Sequence, residues 1–188
     1  MALTVEDLLA TQEITEALYR VARATDRADP ELYAAQFHED GEDHHGLVGG
    51  PVGNIIANLT KATHLVYSQH AISNVLVDLH GDVAHVESCF DAAHQARRDD
   101  GSLEDEFIRG RYLDRFERRD GGPWRIARRV VVWDWSRIQP SGESWFDRVR
   151  QRPGVEDRFV FGRRDRTDMV YDFELPAELR DRAGEGSR

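Results

Sequence analysis

The sequence is almost without lysine and cysteine: Lys61 and Cys89 are the only ones. A single cysteine closes no internal disulfide, so a cytoplasmic setting is expected. Schiff-base chemistry is confined to Lys61. No stretch approaches the ~20 apolar residues of a membrane-spanning helix. The opening Met-Ala-Leu-Thr-Val-Glu-Asp has no basic segment ahead of an apolar one, so no secretory leader is expected. A phosphate-cradling glycine loop, a nucleophile elbow and a Cys–His zinc spacing are all missing. Positive charge is short as well: 25 Lys and Arg face 35 Asp and Glu, for a formal net charge of −10. Non-specific nucleic-acid or anionic-membrane binding needs a basic surface, so neither is expected as a partner. Arginine clusters at 109–119, 125–129 and 163–166 are interleaved with acids or apolar residues and read as solvated strand faces and ion pairs.

The chain's 188 residues, 40% of them apolar, suit one domain with one core. Thr4 and Asp7 make a capping box, and Leu8, Ile14, Leu18, Val21 and Ala22 then recur at helical spacing until about Thr25. Asp29-Pro30 starts a short second helix with Leu32, Tyr33 and Phe37 on its apolar side. Residues 39–50 read as a loop with a short strand, and Pro51 opens a third helix carrying Ile55, Ile56 and Leu59. The period then changes. Strands are expected over 70–79, 83–97, 107–118 and 124–135, separated by turns such as His80-Gly81-Asp82 and Asp99-Asp100-Gly101-Ser102. That order describes an antiparallel meander.

The fold class is therefore α+β: a curved, mainly antiparallel sheet forming a cone, with three N-terminal helices closing its open side around a pocket. This domain is expected over 1–137. Gln139 to Gly142 reads as a linker into an extension over 138–188. Its Trp145, Phe146, Phe159, Phe161 and Tyr171 suit packing on the core or a neighbouring subunit. Arg180 to Arg188 read as a disordered tail.

An ordered set of segments carries a resemblance: Thr25-Asp26-Arg27-Ala28-Asp29, Phe37-His38-Glu39-Asp40, Asp43-His44-His45-Gly46, His70-Ala71-Ile72-Ser73-Asn74, Gly110-Arg111-Tyr112 and Trp124-Arg125-Ile126. The sequence resembles the SnoaL-like family of the nuclear-transport-factor-2-like superfamily, on the branch of scytalone dehydratase and hexachlorocyclohexane dehydrochlorinase. The resemblance implies a cystatin-like α+β barrel. In the lyases of that branch an Asp ending helix one pairs with a His starting a strand, which correspond here to Asp26 and His70. A second family histidine falls at His94. Val21 stands where the family has a lysine or tyrosine, which leaves the exact reaction open. The resemblance also implies a homo-oligomer, a dimer or trimer formed through the sheet.

Such a pair suits proton abstraction from carbon. A histidine titrates near neutrality, and a carboxylate on Nδ1 fixes its tautomer and favours the imidazolium. His94, Asn74, Tyr33, Tyr67, Tyr112 and His45 are candidate donors to an oxygen or leaving group. Asn74, four residues past His70, is expected on the same strand face. Trp133 and Trp135 would share a face as a ligand wall or as core. Asp26 as a mere helix cap and His70 as a structural histidine are the competing readings. Adjacent histidines such as His44 and His45 point apart on a strand, so no metal is assigned. The function expected is a lyase or isomerase acting on a small hydrophobic molecule with no cofactor. The alternative is a non-catalytic binding or structural subunit.

Overall fold

The computed structural model describes residues 3–153 and 159–174. Thr4 accepts from the Asp7 N–H, and Asp7 returns a bond to the Thr4 N–H. Two orphan donors are satisfied, and α1 runs Val5–Asp26. Its buried side carries Ile14, Leu18 and Val21. Each such side chain contributes ~1.5–3 kcal/mol when removed from water. The Asp29 carboxylate caps α2 (Pro30–Ala34) by accepting from the Leu32 N–H. Then follow β1 (Phe37–His44), α3 (Val52–Leu59), β2 (Leu65–His80), β3 (Val83–Arg97), β4 (Leu103–Arg118), β5 (Trp124–Pro140) and α4 (Trp145–Arg150).

One five-stranded sheet has the order β1-β5-β4-β3-β2. β2 to β5 form the antiparallel meander, and β1 joins β5 in parallel. The α+β cone with helices at its N-terminal side is thus the observed architecture. α1 packs against β2 and β5. Its apolar side meets Phe116, Trp124, Ile126, Val86 and Tyr33 in the main core. A smaller cluster of Phe90, Ala92, Tyr112 and Val131 lies apart from it. Gly110 is required at this second cluster, because a Cβ there would collide with the Val132 carbonyl and the Phe90 ring.

Several boundaries differ from the sequence reading. Phe37 does not belong to α2, which is only five residues long. It starts β1 by pairing with Ile126. β2 begins five residues earlier than expected, at Leu65, and β4 four earlier, at Leu103. β5 continues to Pro140, opposite Glu104. Gln139 and Pro140 are therefore strand, and proline, lacking an N–H, ends it. These ends carry no clean apolar alternation, Leu65-Val66-Tyr67 being a continuous apolar run and Glu104-Asp105-Glu106 an acidic one, so pairing rather than pattern extends them.

After α4 the segment 159–174 returns to the junction of α1 and α2. Tyr171 donates to Asp29 Oδ2 at 2.8 Å, and Arg166 reaches Asp29 and Glu31 at 3.1 and 2.7 Å. Phe146 and Phe159 pack edge to face on Trp145 and on each other, and Phe161 packs edge to face on Phe146. Residues 180–188, expected as a tail, lie outside the described residues. Among the described residues no helix is long and apolar enough to cross a membrane.

Candidate active site at the end of the first helix

α1 ends where its last residue meets the start of β2, and there Asp26 accepts three hydrogen bonds. His70 Nδ1 lies 2.7 Å from Oδ1, Ser68 Oγ donates to Oδ1 at 2.9 Å, and the His70 backbone N–H donates to Oδ2 at 2.9 Å. Both side chains of the pair are about nine-tenths buried. Asp26 does not cap its own helix: the closing bonds of α1 come from the Arg27 N–H to backbone carbonyls. The carboxylate instead fixes the histidine. With Nδ1 donating to it, His70 Nε2 carries the lone pair. Asp26, Ser68 and His70 form part of the wall of a cavity of about 420 Å³, together with Tyr19, Tyr67 and residues of the returning segment.

The His94 ring packs 5.3 Å from that of His70, centroid to centroid. Its Nδ1 faces Glu106 at 3.6 Å, and its buried Nε2 has no hydrogen-bond partner among the described residues. Burial, and then the neighbouring His70, push its pKa down to about 4. His94 is therefore neutral at pH 7.

The cone interior holds a second polar group. Tyr33 donates to Asp43 Oδ2 at 2.6 Å, and His45 Nδ1 lies 3.4 Å from Oδ1 of the same carboxylate. Arg129, fully buried, makes two 2.8 Å bonds to Asp114 and lies 4.0 Å above the Tyr112 ring. Burial pushes the Tyr33 and Tyr112 hydroxyls up, so both stay protonated donors. Burial also works to raise Asp43, but the bonds from His45 and Tyr33 and the Arg129 charge hold it below its ordinary value. Trp133 stands edge-on to His45 and Phe90.

The structure thus divides the residues singled out in the sequence. Asp26, His70 and Tyr67 share the cavity wall. His94 packs on His70, Tyr33 and Tyr112 belong to the interior group, and the half-exposed Trp133 and partly exposed His45 stand at its edge. Asn74 belongs to neither. A register shift between Ser73 and Leu76 reverses the alternation, and Asn74 is exposed at φ +48° with its amide 3.9 Å from Cys89 Sγ. Trp135 is separated from Trp133 in the same way. A shift at Arg109/Gly110 leaves Trp133 opposite Gly110 and Trp135 opposite Arg109, whose guanidinium lies 5.8 Å from its ring centroid. Ser68, Arg129, Asp114 and Arg164 are additions from the structure. Ser68 was findable, since it precedes His70 by two on the same strand face. Among the described residues no cluster of three His, Cys, Asp or Glu side chains is placed to hold a metal ion.

A SnoaL-like domain profile matches residues 6–130. The chain belongs to the SnoaL-like domain family. Solved structures share this SnoaL-like fold at low identity. One is a provisionally named scytalone dehydratase from Novosphingobium aromaticivorans, at 24% identity and TM-score 0.61, over 70% of this chain and 88% of that one. A hexachlorocyclohexane dehydrochlorinase (LinA, type 2) has 16% identity and TM-score 0.57, over 80% and 97%. A provisionally named β subunit of an aromatic-ring-hydroxylating dioxygenase, also from N. aromaticivorans, has 19% identity and TM-score 0.55, over 68% and 91%. No curated protein sequence matches the chain. The SnoaL-like fold is therefore one shared with lyases and with other proteins.

Proposed function

We propose that this SnoaL-like domain is a lyase or isomerase that removes a proton from carbon in a small hydrophobic molecule. His70 Nε2 is the base, and Asp26 orients the ring and stabilises the imidazolium. The observation that carries this reading is the 2.7 Å contact between Asp26 and His70 Nδ1 in the wall of a ligand-sized cavity. The electron pair of the broken C–H bond becomes the new C=C bond. In an elimination the leaving group departs with its own bonding pair, and a departing hydroxide takes the proton back from His70 as water. In an isomerisation the proton returns to a different carbon. His94, neutral and packed on the His70 ring with its own Nε2 buried, helps to hold that ring rather than touching the substrate. Association of copies through the outer sheet face, where Leu76, Leu113 and Val130 are exposed, is part of the same proposal.

The test begins with ligands. Polycyclic and terpenoid compounds are screened by thermal stabilisation, where a compound at a hundredfold its Kd adds about 2.7 kcal/mol. Compounds that bind are then followed for conversion and for exchange of carbon-bound hydrogen with D₂O. His70→Ala is expected to keep the fold and lose both reactions. Conversion at the wild-type rate in that variant would overturn the proposal. Ligands that bind wild type and variant alike, with neither exchange nor conversion, would favour the binding-subunit alternative.

A further inference from the structure

The returning segment brings arginines to the cavity. Arg163 and Arg164 join Arg23 of α1 and Arg27, which caps its end, in the wall, and Asp26 is the only acid there among the described residues. Asp26 is already engaged by His70 and Ser68. Arg27 is met by Asp168 at 3.2 Å. Among the described residues Arg164 is held only by neutral carbonyls, those of Ala62, Leu65 and Thr25, at 3.1 to 3.3 Å. Its buried Nε has no partner among the described residues. Burial lowers its pKa against the pull of Asp26, the mark of a cation short of counter-charge. The side chains of Arg23 and Arg163 make no ion pair or hydrogen bond among the described residues. Asp165 feels the Arg163 charge, but its carboxylate is tied to Thr167.

Favourable placement at the negative end of α1 accounts for Arg23 and Arg27. It does not account for Arg163 and Arg164, which arrive on a separate piece of chain. In a protein of net charge −10, a cavity with an arginine-rich rim is set against its surroundings. The rest of the wall includes Val66, Ile72 and Val170, so the cavity has both an apolar and a cationic side. We infer that its ligand is a small organic acid, the carboxylate held by Arg23 and Arg163 with the Arg164 charge behind them, and the apolar body directed toward His70. Guanidinium forks match a carboxylate, and binding energy from such a remote group can be used to place the reacting carbon. This inference rests on the reading of the His70 cavity as the functional site, and it names the substrate class.

The experiment is calorimetric titration of the full chain at pH 7 and low salt, where rim charges are least screened. The probes are benzoate, trans-cinnamate and 3-phenylpropanoate, their methyl esters, and inorganic phosphate. The proteins are wild type, Arg23→Gln/Arg163→Gln and His70→Gln; Arg164 is left intact because it also ties the fold together. At least one acid is expected to bind wild type tenfold or more tighter than its ester. The double arginine variant is expected to lose that margin while ester binding stays unchanged. His70→Gln is expected to retain it, which separates this result from any failure of the catalytic proposal. Acids that bind no tighter than esters, or an unaffected double variant, overturn the inference. So does phosphate binding equal to that of the acids, which would mark a bare charge site.

Discussion

His94 gives the most direct quantitative test of the site's electrostatics. Its side chain is 14% exposed, Glu106 stands 3.6 Å from Nδ1, beyond a normal hydrogen bond, and the Asp26 charge only partly offsets burial and the neighbouring His70. Its pKa in the folded protein is about 4, against an unfolded value of about 6.5. The sign follows from the protons bound. Above pH 6.5 both states are neutral and the group contributes no pH dependence. As pH falls below 6.5 the unfolded chain binds a proton that the folded protein refuses, so stability is lost down to about pH 4. The slope approaches 1.4 kcal/mol per pH unit, and the loss from pH 7 to pH 5 is about 2 kcal/mol. Urea unfolding of wild type and His94→Gln at pH 7, 6 and 5 measures this, since other titrating groups cancel in the difference. Wild type is expected to lose about 2 kcal/mol more than the variant. Parallel pH profiles for the two proteins would refute the argument.

Asp26→Asn should keep the helix and sheet by circular dichroism but lower turnover at least about 10²-fold, because an amide cannot stabilise the imidazolium; kcat and KM on any converted ligand check it. Arg129→Met alone leaves Asp114 buried without its partner and is expected to cost ~3–5 kcal/mol in urea unfolding. Adding Asp114→Leu should recover most of that loss. Asn74→Gly relieves a residue held at φ +48° and should stabilise by up to about 1 kcal/mol. Tyr171→Phe removes the bond to Asp29 and should cost about 1 kcal/mol, with faster proteolysis of the returning segment.

Much of the fold was legible because local signals agreed with it. The Thr4–Asp7 box, the Asp29-Pro30 start and the turn at His80-Gly81-Asp82 each set an element end at or near its observed place. The contact of Asp26 with His70 was reached through the family resemblance, since 44 positions separate them and no local pattern joins them. Strand parity failed at register shifts. Alternation from Ile126 puts Arg128 inside, but the irregularity at Arg115/Phe116 turns Arg129 inward instead. The same physics displaced Asn74 and separated Trp133 from Trp135. A bulge inserts one residue without a strong compositional mark, so its effect on facing is read only from the paired ladder. Arg164 was hidden for another reason: its bonds are to carbonyls, which every residue possesses.

The returning segment also has a consequence for how the protein is made. Arg164 binds the Thr25 carbonyl across 139 positions, and Tyr171 binds Asp29 across 142. At roughly 5–20 residues per second, a ribosome needs about seven to thirty seconds after making Asp26 before it can supply Arg163 and Arg164, which border the same cavity. Synthesis alone therefore supplies the cationic rim only near the end of translation.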